Sequence, residues 1–236
     1  MKHLAIAFLA ISLFAGCGNS IEGVGNPIDE RRTVEDYDVI YLNSSFDVTV
    51  RQALLSDQNK VVVNAQENLL PFISTRVEGS RLIVESTENI SPSTPVRIEI
   101  ITNGVTKIVN EGSGSIKTAN TLKADRMKIQ GDGSGDMTIK VKAPLVKVEN
   151  DGSGDIRLLG ETQELEILLD GSGEVNTLET RASQVEVSND GSGNVSVSVS
   201  DVLGIELSGS GSVKYAGNPQ EIEQSVNGSG SVQRLN

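Results

Sequence analysis

Tryptophan is absent from the 236 residues, and aromatic side chains of all kinds amount to 3%. A core without large rings has to be assembled from Val, Ile and Leu. That suits a thin stacked architecture, in which each layer touches only its neighbours. There is one cysteine, so no intrachain disulfide can form. The one histidine, His3, lies in the first few residues. Ser-His-Asp and Cys-His nucleophile arrangements and histidine zinc sites are therefore excluded from the body of the chain. Basic residues are the minority, 20 Lys and Arg against 32 Asp and Glu, for a formal charge of −12. This balance argues against nucleic acid and against attraction to anionic lipid surfaces. Long apolar runs are also missing, apart from Leu4–Ala15, which is too short to span a bilayer.

What the chain does have is a returning phrase. Gly-Ser-Gly occurs with its first glycine at 112, 133, 152, 171, 191, 209 and 228. A fixed period near 19 residues marks a solenoid or a repeated β array. The flanks alternate apolar and polar, which predicts strands rather than helices. In the third copy one face carries Val146, Val148, Asn150, Gly152, Gly154, Ile156 and Leu158. The other carries Lys147, Glu149, Asp151, Ser153, Asp155 and Arg157. Each copy reads as a strand, a glycine corner, a second strand and a variable turn. The paired glycines permit a sharp bend, positive φ or close approach of another backbone. Two assemblies fit: a right-handed parallel β-helix with one copy per coil, or an antiparallel meander with Asp-Gly hairpins. Recurrence of serine over serine and aliphatic over aliphatic favours the β-helix.

The chain divides into four segments. Residues 1–16 read as an export signal, and Leu13-Phe14-Ala15-Gly16-Cys17 resembles a bacterial lipobox. That resemblance implies lipidation at Cys17, a membrane partner through the lipid anchor and, with Gly18 next to it, an outer-membrane address. Residues 17–33 lack periodicity and read as a flexible tether. Residues 34–103 form a non-repetitive β region that caps the solenoid. Strands are expected at Tyr37–Leu42, Phe46–Arg51, Lys60–Ala65, Ile73–Glu78, Arg81–Ser86 and Val96–Ile101, with a helical turn at Gln66–Pro71. Residues 104–236 are the Gly-Ser-Gly solenoid, continuous with the cap.

Several stretches together resemble a bacterial family, the putative auto-transporter adhesin head GIN domain. They are Tyr37-Asp38-Val39-Ile40, Ser45-Phe46-Asp47-Val48-Thr49-Val50, Glu67-Asn68-Leu69-Leu70-Pro71-Phe72-Ile73 and the Gly-Ser-Gly-Asp repeats. The resemblance spans nearly all of 34–236. It implies an exported, lipid-anchored β-helical protein of the cell envelope. It supplies no catalytic residues.

The candidate contact surface is the pair of acidic rows beside the corner serines. If copies stack in register, Asp132, Asp151, Asp170 and Asp190 form one row. Asp136, Asp155 and Glu174 form another, with Ser134, Ser153, Ser172 and Ser192 between them. Coils sit about 4.8 Å apart, so like charges repel along each row. Ca²⁺ at Asp132, Asp151, Asp170 and Asp190 would relieve this. The competing reading is that Asp before Gly simply makes a good corner. Paired carboxylates also occur in polysaccharide-cleaving enzymes, but sugar-stacking aromatics are nearly missing here. The expectation is a non-enzymatic surface-binding module without a cofactor, meeting a glycan, peptidoglycan or a surface protein. The alternative is a structural or self-associating envelope protein that forms a homo-oligomer. Because Asn110, Asn150 and Asn189 are not on adjacent copies, each needs a backbone partner of its own.

Overall fold

The computed structural model describes residues 20–53 and 59–235. The export signal, Cys17 and the first residues of the expected tether lie outside the described residues. The first part contributes β1 (Ile21–Glu22), β2 (Pro27–Thr33), β3 (Val39–Asn43), β4 (Asp47–Gln52), β5 (Lys60–Gln66), β6 (Ile73–Glu78), β7 (Arg81–Ser86), β8 (Ile90–Ser91) and β9 (Arg97–Thr102). A 3-10 turn occupies Glu67–Phe72. The repeat region contributes β10 (Lys107–Asn110), β11 (Ile116–Thr118), β12 (Leu122–Lys123), β13 (Arg126–Gly131), β14 (Met137–Lys142) and β15 (Leu145–Asn150). It continues through β16 (Ile156–Leu169), β17 (Val175–Asn189), β18 (Val195–Leu207), β19 (Ser212–Gly217), β20 (Glu221–Val226) and β21 (Ser231–Arg234).

All pairings within the repeat region are parallel. Each Gly-Ser-Gly is a corner between two faces of a β-solenoid, and the antiparallel meander is excluded. Before the corner, Ile108, Ile129, Val148, Ile167, Val187 and Ile205 stack in one inward column. After it, Ile116, Met137, Ile156, Val175, Val195 and Val213 stack in another. Every one of these side chains is buried. Burying an aliphatic side chain contributes roughly 1.5–3 kcal/mol, so the columns supply the cohesion that aromatic residues provide elsewhere.

Coil order does not follow chain order at the N-terminal end. The coil made by β3 and β4 lies between β7/β9 on one side and β10/β11 on the other. The chain therefore builds an inner coil first, passes outward through the cap, and returns. At the corner of that inner coil Ser44 and Phe46 stand where later coils have glycine, and Phe46 fills the interior at 2% exposure.

The cap is antiparallel. β5 pairs with β9, β2 with β5, and β6 with β7. Pro27–Thr33, assigned from sequence to a tether, is thus an edge strand. Its inward positions include Glu30 and Arg32, so the alternation that reveals other strands is hidden. Arg32 bonds Glu30 at 2.6 Å and donates to the carbonyls of Ile73 at 2.6 Å and Leu70 at 3.1 Å. Inward charge on a terminal strand is a recognised way to stop further strand addition. Among the described residues no helix is long and apolar enough to cross a membrane.

Candidate functional site

The corner geometry begins with glycine. A Cβ built on Gly133, Gly152, Gly171, Gly191, Gly209 or Gly228 would lie well inside 3.0 Å of the carbonyl oxygen of the equivalent glycine one coil earlier. The second glycine of each corner, from Gly135 to Gly230, meets its predecessor's carbonyl in the same way. Among the described residues, positive φ is confined to Gly25, Gly79, Gly160 and Gly217. The corner glycines are therefore required by close approach of backbone to backbone, not by a left-handed conformation.

This tight stacking brings the expected serine row together. Ser134, Ser153, Ser172, Ser192 and Ser210 donate their backbone N–H to the first glycine of the preceding corner at 3.0–3.2 Å. Their side chains are exposed. Asp151, Asp170 and Asp190 are exposed beside them, and Asp132 is half-buried. Burial pushes the Asp151 carboxyl above its ordinary range, and Asp132, Asp170 and Glu149 add to the effect while Lys128 opposes it. The row is close enough for neighbouring carboxylates to repel. Among the described residues no group of three or more His, Cys, Asp or Glu side chains is arranged to hold a metal ion.

The second acidic row does a different job. Asp136 Oδ1 accepts the N–H of Asp155 at 3.0 Å, and Asp155 Oδ1 accepts the N–H of Glu174 at 2.8 Å. Further along, Asn194 Oδ1 accepts from the N–H of Ser212 at 3.1 Å and its hydroxyl at 2.7 Å. Each such side chain satisfies a backbone donor of the next coil, just past the corner. Among the described residues, the second carboxylate oxygen of Asp136 and of Asp155 accepts no hydrogen bond from the protein. Asp136, Asp155 and Glu174 line a shallow groove of about 250 Å³ whose other polar walls are Thr138, Arg157 and Asn176. Carboxylates, a hydroxyl, an amide and a guanidinium thus meet along one outward surface. Arg157 lies on the outward face that alternation assigned to it, whereas Thr138 and Asn176 were not singled out from sequence, because outward positions are not constrained to repeat.

The buried asparagines each find a backbone partner. Asn110, Asn150 and Asn189 donate Nδ2–H to the carbonyl of the second glycine of their own corner, Gly114, Gly154 and Gly193, at 2.8–3.0 Å. Gly131 and Leu169 stand at that position in the coils between them, and Leu207 in the coil after Asn189. Leu169 and Leu207 lean over the next coil's second glycine, where a Cβ would meet their methyl groups at 3.0 and 2.9 Å. Asn110, Asn150 and Asn189 lean over Gly135, Gly173 and Gly211 likewise.

Two larger hollows lie away from the serine row. One, of about 320 Å³, runs over the outer face of β15 to β18 and is lined by Leu145, Glu164, Leu168, Gln184, Glu186 and Val202. The other, of about 670 Å³, follows the variable turns past Thr162, Arg181, Ser198 and Asn218. On the first face a basic stack of Lys128 and Lys147 is neutralised by acids. Burial alone would push Glu149 up, but Lys128 at 2.6 Å and Lys147 at 3.4 Å outweigh it and hold its carboxyl below the usual range.

Comparison with known proteins places this geometry. A putative adhesin from Bacteroides fragilis superposes with a TM-score of 0.84 at 21% identity, covering 92% of this chain and all of its own. A protein from Parabacteroides distasonis described as a putative lipid binding protein gives 0.76 at 24% identity, with the same coverage. A putative adhesin from Parabacteroides merdae gives 0.75 at 18%, covering 92% of this chain and 99% of its own. These likenesses establish the fold. No curated protein matches the chain. The family model described as "Putative auto-transporter adhesin, head GIN domain" matches residues 36–219, most of the chain. On that match, the chain belongs to the head GIN domain family of putative auto-transporter adhesins.

Proposed function

We propose that this protein is a non-enzymatic binding module of the bacterial envelope, lipid-anchored through Cys17 at the outer membrane, that holds an extended hydroxyl-rich ligand such as a glycan or peptidoglycan strand. The observation that carries the reading is the stacked polar surface beside the corners. Exposed serines recur from Ser134 to Ser210, and exposed carboxylates accompany them at Asp151, Asp170 and Asp190 and at Asp136, Asp155 and Glu174. A ligand with repeating hydroxyl groups meets the same chemistry at each step, so weak contacts add through multivalency. The groove between Asp136, Asp155, Glu174 and Arg157 offers both acceptors and a donor, as sugar hydroxyls require. Membership of an adhesin-like family is consistent with surface binding. The solenoid interior is filled by buried aliphatic side chains, which favours an external site over an internal cavity for an acyl chain.

The test is a binding screen of residues 18–236 against envelope polysaccharides and peptidoglycan. The double change Ser153→Lys with Ser172→Lys alters only exposed side chains, so stability should stay within about 0.5 kcal/mol. Binding should fall at least about tenfold, a loss of roughly 1.4 kcal/mol. No glycan binding by the parent protein, or equal binding by the double variant, would remove this reading.

A further inference from the structure

The two ends of the solenoid differ. The N-terminal end is closed by antiparallel strands and by Arg32. The other end is a complete coil, β20, corner and β21. Among the described residues nothing pairs with its outer edges. Its inward positions continue the core columns: Ile222 and Val226 stand over Leu203 and Leu207, and Val232 over Val213. Ile222 and Val226 are nevertheless 43% and 44% exposed.

We propose that this terminal coil is a self-association surface, and that two copies of the chain meet there end to end about a two-fold axis through Ser229. The proposal stands apart from the glycan reading, because it uses the end of the solenoid and not its side.

Three observations favour a second copy as the occupant. First, the sequence around the corner, Val226-Asn227-Gly228-Ser229-Gly230-Ser231-Val232, reads alike in both directions except that Asn227 is matched with Ser231. A two-fold axis through Ser229 sets Val226 opposite Val232 of the second copy, and Gln224 opposite its Arg234. Inward positions then meet inward positions along both strands.

Second, the backbone polarity matches. On the strand before the corner, the carbonyl of Leu207 accepts from Asn227 and Gly228 of the next coil, and that of Asn189 accepts from Ser208 and Gly209. On the strand after it, the N–H groups of Ile116, Met137, Ile156 and Val175 donate to the next coil. By coil equivalence, the main-chain groups of Val226 and Val232 point outward. Antiparallel pairing of β20 with β21 of the second copy therefore places donors opposite acceptors on both edges at once. A single added strand from another protein would satisfy only one edge.

Third, other arrangements of two copies are disfavoured. Head-to-tail stacking meets the antiparallel cap. Pairing β20 with β20 sets the outward Glu221 and Glu223 of the two copies beside one another, whereas pairing it with β21 keeps them apart. The contact is isologous and closes at two copies.

The experiment uses the chain carrying Cys17→Ser. Light scattering coupled to size exclusion, from about 1 to 100 µM (bracketing a µM dissociation constant), should show a monomer–dimer equilibrium. Val226→Pro removes an outward N–H that no other coil uses, and proline is tolerated on edge strands. It should weaken the dimer at least about tenfold. Ser229→Cys sits on the axis and should form an intermolecular disulfide under mild oxidation, while Ser192→Cys should not. A monomer at every concentration, an open-ended polymer, a dimer indifferent to Val226→Pro, or a dimer that Ser229→Cys fails to cross-link would each overturn the proposal. Should Val226→Pro unfold, as read by circular dichroism, the cross-linking result decides alone.

Discussion

Gly152→Ala is the sharpest perturbation of the fold. The added Cβ would fall 2.9 Å from the carbonyl carbon of Asp132 and 3.0 Å from its oxygen, and closer still to the Gly133 oxygen. All three are backbone atoms held by the neighbouring coil, so no rotamer change relieves the clash. Relief requires the two coils to part. That strains the bonds from Gly152 N–H to the Gly131 carbonyl and from Ser153 N–H to the Gly133 carbonyl, each 3.0 Å. Overpacking of a tight site costs about 1–3 kcal/mol, and each weakened ladder bond about 0.5–1.5 kcal/mol. The total is about 2–6 kcal/mol. Urea unfolding followed by circular dichroism measures it, provided the slope with denaturant is unchanged. Two controls separate the causes. Ser153→Ala changes an exposed side chain at the same corner and should stay within about 0.5 kcal/mol. Gly25→Ala adds a methyl where nothing lies within 4 Å but φ is +83°, so it reports backbone strain alone, about 1–2 kcal/mol. If Gly152→Ala matched the parent, or cost less than Gly25→Ala, close stacking would not be the reason for the glycines.

Two further predictions follow from the rows. Asn150→Ala leaves the Gly154 carbonyl without its side-chain donor and opens space above Gly173, and should cost about 1–3 kcal/mol. Asn150→Leu places there the side chain that positions 169 and 207 already use and should cost less than the alanine, as paired urea midpoints will show. Asp151→Asn should raise the urea midpoint at pH 7. The folded-state pKa of Asp151 is raised, so its neutral form suits the fold better than its charged form. The stability that protonation supplies is fully present below the unfolded pKa and is lost as pH rises through the folded one. The gain from asparagine should therefore vanish as pH falls below about 4, and should shrink in high salt. An equal gain at pH 3 and pH 7 would contradict the charge-row account.

Much of the architecture was legible because its causes are local. The expected strands from Tyr37 to Ile101 and the turn near Gln66–Pro71 match observed elements to within a few residues. Alternation of apolar and polar residues is what a half-buried strand requires. The third copy's two faces divide into inward and outward side chains as alternation predicted. Where inward positions carry charge the signal failed. Glu30 and Arg32 concealed β2, since a cap strand meets the end of a core and not its middle. The role of Asp155 was concealed for another reason. Its partner is the N–H of Glu174, a main-chain group that no side-chain pattern reports.

By itself the chain's composition and period determined that one β unit would recur, which residues would turn inward and that glycine would stand at each corner. Those outcomes depend on one coil and its immediate copy, and a repeat states them again at every turn. Only the tertiary structure decided that the coil of β3 and β4 lies inside the stack, that one end is closed by charge, and that the other presents edges unpaired among the described residues. These depend on which segments meet across long stretches of chain. Such meetings are set by packing of the whole body and leave no periodic trace.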